Sequence, residues 1–486
     1  MPDSFLVQQR LTAWARERTA KGGAPITIRI VKGANMEMER IDAALHDWPQ
    51  APYRTKAETD ANYKQMLHYG LKPEHLDAVR IGIASHNLFD VAYGLTLAAA
   101  AEAGDRVQFE MLEGMANHQR RALLEQTERL LLYAPACRKE EFLNAIGYLI
   151  RRLDENTGAE NFLGHAFRLQ VGSEDWDKLE AGFRAAFATR IANEPRRTQD
   201  RNTETFAAPR VERWWKDFEN EPDTDWSLPQ NGAWAEAITA GAKQYAGDAA
   251  TPGFVVPAVV AGGELRDLKQ IPCVDPSRPG AAVTSYAQAG SAEVSAALAC
   301  AKADPDGWRV RTVDERSEVL GRVAVELRKR RGILMRAALL NGGKLLTESD
   351  PEVSEAIDFV EFYRATARRW FGLEAVAAKP CGTVVVVPPW NFPIAIPCGG
   401  IAAALAAGNT VILKPASDTV LIAWELCQAF WAGGVSRKTL QFVPCPGPGP
   451  GSELVSHDDA NAVILTGGTE TALRMLALKP TMRLSR

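Results

Sequence analysis

No apolar run in the sequence approaches the ~18 residues that a membrane-spanning helix needs, so a helical membrane protein is excluded. Cysteine is sparse. The seven, Cys137, Cys273, Cys300, Cys381, Cys398, Cys427 and Cys445, are scattered, odd in number and lack C-x-x-C spacing, which argues for reduced thiols and against disulfides or zinc. The seven histidines form no H-E-x-x-H pair, so no metal is expected. An excess of one charge is missing too: a net charge of −4 gives no reason to expect nucleic acid or an anionic membrane as partner. The G-x-G-x-x-G fingerprint is absent, and Gly342-Gly343-Lys344 lacks the earlier glycine of a phosphate loop, so it reads as a helix C-cap. The first twenty residues mix acidic and basic side chains on an amphipathic helix and do not read as a signal peptide; the cytoplasm is the default.

What is present is an ordinary soluble composition, 46% hydrophobic and 24% charged, in 486 residues, a length that predicts about three domains. Residues 1–168 alternate helix and strand. Helices are expected at 5–19, 56–71, 88–103, 117–130 and 139–153, and strands at 25–31, 77–84, 106–112 and 131–134. Such alternation implies a parallel sheet, doubly wound or closed into a barrel. The last helix carries Tyr148, Arg151, Arg152 and Glu155, whose spacing places them on one face. Two guanidiniums there suit a substrate carboxylate; a solvated salt-bridge ladder is the commoner reason for such a pattern. His86, alone, reads more readily as structural than as catalytic.

Residues 169–254 are polar and charged, read as a connector in which Trp214, Trp215 and Trp226 act as packing anchors. A Pro-Gly turn between two strands follows, then helices at 291–303, 312–331, 333–341 and up to 371. The most informative stretch is Cys381–Pro415. Thr383–Val387 is entirely β-branched and is stopped by Pro388-Pro389, as in a buried parallel strand. Residues 394–407 are apolar nearly all round, a buried helix closed by Gly408-Asn409, and 410–413 is the next strand, ending in Lys414. This is a βαβ crossover, and its turn stands at the carboxyl end of a strand, where open α/β sheets bind ligands. Asn391 offers an amide to a developing oxyanion and Lys414 a donor to ribose hydroxyls; spacing alone favours the plainer alternative, a helix-capping Asn391 and an exposed Lys414. Residues 419–433 read as helix and 440–443 and 462–465 as strands, and Gly467-Gly468 opens another helix, either a pyrophosphate site or an ordinary N-cap.

PWNFP followed by AAGNTVILKP closely resembles the nucleotide-binding half of the aldehyde dehydrogenase superfamily. That resemblance implies Asn391 as oxyanion donor, Lys414 on the adenosine ribose of NAD, and Pro389, Trp390, Ser417, Gly467 and Gly468 along the same cofactor. IRIVKGAN, IASHN, FEMLEGM, YAPA and YLIRRLDEN, in this order, resemble the proline dehydrogenase barrel, and more narrowly that of the bifunctional proline utilization A flavoenzymes. This implies FAD lined by Arg29, Val31, Lys32, Gly33, Ala34, His86, Asn87 and Phe162. It also implies a proline site of Tyr133, Tyr148, Arg151, Arg152 and Glu155, with both arginines on the carboxylate.

The fold expected is therefore α/β: the C-terminal half of a (βα)8 proline dehydrogenase barrel (1–168), the connector (169–254), and the N-terminal, Rossmann-like NAD-binding part of an aldehyde dehydrogenase (255–486). A (βα)8 barrel takes about 250 residues and eight strands, and the family's general-base glutamate and nucleophilic cysteine would follow the last residues. An incomplete form, truncated at both ends, is thus expected. The family implies proline oxidation to pyrroline-5-carboxylate on FAD with a quinone as electron acceptor, at the inner membrane face, and glutamate semialdehyde oxidation to glutamate with NAD. The competing reading is a catalytically inactive nucleotide-binding or complementing chain; a generic aldehyde dehydrogenase is disfavoured by the barrel motifs.

Overall fold

The computed structural model describes residues 1–33, 36–127, 129–156, 161–166, 168–207, 209–210, 216, 218–245, 254–374 and 377–485, the side chains of 151, 153–156 and 243–245 excepted. Ala34, Trp214 and Trp215 therefore lie outside the described residues. The chain divides into two compact units, Met1–Thr198 and Gln199–Arg486.

In the first unit, β1 (Ile26–Ile30), β2 (Val79–Ala84), β3 (Val107–Leu112) and β4 (Leu130–Tyr133) form one parallel sheet in chain order. Sequential parallel strands joined by helices give a barrel-like arc. Ile30, Ile81, Ile83, Phe109 and Met111 form its core with Leu67, from the helix Lys56–Gly70. That helix begins with a full capping box: the Thr55 hydroxyl accepts from the Glu58 N–H, and the Glu58 carboxylate from the Thr55 N–H. Two expectations need adjusting. A helix spans Met36–Leu45, where the sequence pattern predicts none, and the helix expected over 117–130 stops at Leu124. The cause is register: Leu130 pairs with Phe109, so the sheet claims it.

In the second unit, the strands are β5 (Val255–Val256), β6 (Ala258–Val260), β7 (Gly263–Leu265), β8 (Lys269–Val274), β9 (Ala282–Gln288), β10 (Thr383–Val387), β11 (Thr410–Leu413), β12 (Leu440–Phe442), β13 (Ala462–Leu465) and β14 (Leu484–Ser485). Among the described residues seven of them form the main sheet in the order β14-β13-β10-β11-β12-β6-β7, the first five parallel. The β-branched run has a direct cause. Val384, Val386, Val411 and Leu413 pack into one core, while Val385, Ile412, Val463 and Leu465 pack into another on the opposite face. Alternate residues point to opposite faces, and both faces are covered, so every position is apolar. Each such burial contributes about 1.5–3 kcal/mol. The helix Ala395–Ala406 joins β10 to β11, as the crossover requires. Gly343 ends the helix Arg331–Gly342 at φ 64°, the left-handed cap expected of it. Trp226 packs on the larger core and stacks on Trp234, ring centres 6.1 Å apart. Among the described residues no helix is long and apolar enough to cross a membrane.

Candidate functional site

The parallel strands β10 to β13 end at one edge. From β10 the chain moves outward through β11 and β12, then returns to the other flank of β10 as β13. Strand order reverses between β10 and β13, the position at which α/β sheets bind ligands. The Thr466 N–H donates to the Val387 carbonyl there at 3.1 Å. Gly467 and Gly468 follow, exposed, and the helix Thr469–Leu478 starts without a side-chain cap. A Cβ at Gly468 would meet nothing within 4 Å, so this positive helix end faces open space.

Lys414 leaves β11 at this edge. It is 9% exposed, so its reading as an exposed charge is corrected: β11 is an interior strand and carries the side chain inward. Burial lowers its pKa, and the nearby Cys445 thiol opposes this only in part. Its Nζ donates to the Pro415 carbonyl at 3.3 Å. A Cβ at Gly451 would lie 2.6 Å from the Pro446 carbonyl oxygen and 3.1 Å from Lys414 Cε, so only glycine fits beside the lysine stem. Ser417 is exposed, close to the Tyr286 phenol, whose pKa burial raises. A desolvated cation, a glycine turn and an uncapped helix start on one edge fit a dinucleotide.

The turn after β10 is built differently from expectation. Pro389 is half-buried; Trp390 and Asn391 are exposed. Asn391 does not cap the following helix. Glu352, buried on the helix Leu346–Phe371, does: its Oε1 accepts from the Ile394 N–H at 3.0 Å. A carboxylate carries full charge into the positive helix end and outcompetes an amide. Lys344 Nζ lies 2.9 Å from Glu352 Oε2, donates to the Asn391 carbonyl at 3.0 Å, and stands 4.5 Å from the Phe392 ring centre.

In the first unit the strand ends gather a second group. Arg29 Nε lies 2.5 Å from Glu110 Oε2, and glycine at 82 leaves room for that carboxylate. Lys32 Nζ is 2.6 Å from Asp60 and 2.5 Å from Asp90. Burial works against its charge, but Asp90 and Asp60 outweigh it and hold the pKa above the ordinary value. The Leu112 N–H donates to His86 Nε2 at 3.0 Å, so the neutral ring carries its proton on Nδ1. Among the described residues that buried Nδ1 has no partner, and burial lowers the imidazole pKa. Asn87 caps the helix Leu88–Ala100 through Oδ1, which accepts from the Phe89 N–H at 3.0 Å. Val31 is exposed, and Gly33 has φ 87° with open space where a Cβ would stand. An orphaned buried donor, a left-handed glycine and a held ammonium fit the polar edge of a flavin.

Tyr133 is exposed at the end of β4. Arg152 Cζ lies 5.0 Å from the Tyr148 ring centre, a cation–π pair. The side chains of Arg151 and Glu155 lie outside the described residues, so only half of that group is brought together. Phe162 is buried with Ala116, Leu163 and Ala166. Sequence reasoning missed Glu110, Asp60, Asp90, Lys344 and Glu352; the one available signal was Glu110, the one charge inside a mostly apolar strand. Among the described residues no group of three or more His, Cys, Asp or Glu could hold a metal ion.

The fold and the two strand-end groups define an α/β protein with a partial, barrel-like proline dehydrogenase region followed by an aldehyde dehydrogenase region. The family model of proline dehydrogenase matches residues 1–165, and that of the aldehyde dehydrogenase family matches 264–484. The chain belongs to the proline utilization A family. It is similar to the bifunctional protein PutA of Escherichia coli, 30% identical over 463 residues, covering 92% of this chain and 33% of that protein. The crystal structure of proline utilization A from Bdellovibrio bacteriovorus, inactivated by N-propargylglycine, matches with TM-score 0.82 at 27% identity, over 99% of this chain and 49% of that one. A 1-pyrroline-5-carboxylate dehydrogenase from Thermus with bound NAD matches with TM-score 0.51 at 29% identity, over 55% of this chain and 52% of that one. The chain thus spans about a third of the length of the curated PutA relatives it matches.

Proposed function

We propose that this chain serves the oxidation of proline to glutamate. Residues 1–168 hold FAD and proline, 169–254 connect, and 255–486 hold NAD for the glutamate semialdehyde step. The observation that carries this reading is Lys414: a buried cation beside a glycine-only turn, on the edge where strand order reverses.

When bound, FAD supplies the electron acceptor for proline, discharged to a quinone, and NAD the hydride acceptor for the aldehyde. The chain's own residues bind and orient. Lys414 and Ser417 hold the adenosine ribose, Gly467 and Gly468 present N–H groups to the pyrophosphate, and Pro389 and Trp390 line the same edge. Asn391 directs its amide at an aldehyde oxygen. Arg29, Val31, Lys32, Gly33, Ala34, His86, Asn87 and Phe162 surround the flavin. Arg151 and Arg152 clamp the proline carboxylate, with Tyr133, Tyr148 and Glu155 around the ring.

One observation favours a second reading, a nucleotide-binding or complementing chain that does not itself oxidise aldehydes. Cys273 and Cys445 are buried, their thiols pushed up to about 12 and about 11, and burial raises Cys398 and Cys427 as well; covalent aldehyde oxidation needs a thiolate. Calorimetric titration with NAD and with nicotinamide mononucleotide tests the shared core of both readings. NAD is expected to bind and the adenosine-free mononucleotide not to. Absence of NAD binding at millimolar concentration would overturn them. NADH formation from glutamate semialdehyde then separates the first reading from the second.

A further inference from the structure

A cavity of about 390 Å³ lies within the second unit, away from the strand ends, among the segment around Arg201 and the helices Pro229–Tyr245, Val313–Lys329 and Arg331–Gly342. Its lining is unusually cationic: Arg201, Arg328, Lys329, Arg331 and Arg336, against one carboxylate, Glu204. Most of that charge is already matched. Arg201 pairs with Glu204 at 2.8 Å, Arg328 with Glu221 at 3.0 Å, Arg331 with Asp350 at 2.8 Å and Lys329 with Glu326 at 2.8 Å.

Arg336 differs. Among the described residues its buried Nε has no hydrogen-bond partner. Glu425 feels its charge, yet burial holds that carboxyl above its ordinary pKa in spite of Arg330 and Arg336. The guanidinium lies against Gly241, where a Cβ would stand 2.7 Å from Cζ and 2.9 Å from Nη2; glycine there admits it. The Nη2 atoms of Arg328 and Arg331 already face the Glu221 carboxylate, at 3.0 Å and 3.6 Å. Apart from Asn202, the rest of the wall is apolar and includes Trp234, Ile238 and Phe206.

We propose that this cavity binds a small monocarboxylate with an apolar body. A half-buried guanidinium whose Nε is buried and without a hydrogen-bond partner among the described residues calls for one negative charge. A planar fork suits a carboxylate bound through two N–H groups. The volume is within the range of small-molecule sites, and the tryptophan and isoleucine receive the apolar part. The site depends on none of the residues assigned to FAD, NAD or proline.

The test is fluorine NMR line broadening of 4-fluorobenzoate, with 4-fluorobenzamide as neutral control, on the full chain. The benzoate is expected to bind and the amide not to. Arg336→Gln is expected to weaken binding about tenfold or more, the loss of a charge-assisted contact, with an unchanged circular dichroism spectrum and melting temperature. Arg336→Lys keeps the charge and loses the fork, so it retains part of the affinity; Gly241→Ala displaces the guanidinium and weakens it. Equal broadening of benzoate and benzamide, no binding, or undiminished binding by folded Arg336→Gln would each overturn the proposal.

Discussion

Lys344 Nζ stands 2.9 Å from Glu352 Oε2, and between them the two side chains hold both ends of one turn. Lys344 donates to the Asn391 carbonyl, and Glu352 accepts from the Ile394 N–H. Lys344 lies in the loop before the helix Leu346–Phe371 and Glu352 on that helix, both more than thirty residues earlier in the chain. The turn that presents Trp390 and Asn391 is therefore fixed by a buried ion pair rather than by its own residues.

Removing either partner strands the other charge. Lys344→Met and Glu352→Gln are each expected to lower unfolding free energy by about 3 kcal/mol. The double variant Lys344→Met/Glu352→Gln keeps an acceptor for the Ile394 N–H and leaves no lone charge. It is expected to lose less than the sum of the single changes by at least about 1 kcal/mol. Urea unfolding of the four proteins closes the cycle; additive losses would rule out the coupling.

Asp358 sets a pH dependence. Burial pushes its carboxyl up to about 7, partly opposed by the Glu221 N–H, which it accepts at 2.7 Å. The folded chain thus binds a proton that the unfolded chain has released above the ordinary carboxylate range. Stability from this group is full below that range and is lost as pH rises through about 7. Asp358→Asn keeps the acceptor and is expected to gain about 2 kcal/mol at pH 8, after allowance for solvent screening, and nothing at pH 3. Urea midpoints at the two pH values measure it.

His86 runs the other way. Its lowered pKa means the unfolded chain binds the proton first, so stability falls as pH drops through the ordinary imidazole value and is full above it. Nitrogen-15 NMR should find the Nδ1–H tautomer, because Nε2 is occupied by the Leu112 N–H. A ring protonated on Nε2 at neutral pH would contradict the geometry.

Much of this was legible beforehand where the cause is local. Thr383–Val387, the helix after it and Lys414 at the next strand end could be read because a doubly covered strand must be apolar at every position. Gly343 could be read as a cap because few other residues accept φ 64°. What could not be read came from distant partners. Glu352 displaces Asn391 as the helix cap across 42 residues, and no periodicity records that. Lys414 looked exposed because a charge at a strand end usually is; only the placement of β11 between β10 and β12 buries it. Asn87, implied as a flavin contact, is also the cap of the helix that follows it: its Oδ1 accepts from the Phe89 N–H.

Lys414 allows folding and binding to be separated by the sign of their pH response. Lys414→Ala removes a charge-assisted hydrogen bond worth ~1.5–3 kcal/mol, so NAD affinity should fall by about one to two decades. Burial depresses the lysine pKa, so in the native chain NAD affinity should decline at a pH below that at which an ordinary lysine loses its proton. Stability responds oppositely. Between the depressed and the ordinary value the unfolded chain binds more protons, so stability rises with pH across that window, and Lys414→Met should abolish the rise. Calorimetric NAD titrations and urea unfolding on one pH series from 7 to 10 (about the span over which such a lysine titrates) should therefore slope in opposite directions. Parallel slopes would mean that the loss of affinity reports general loosening of the strand edge and not the charge on Lys414.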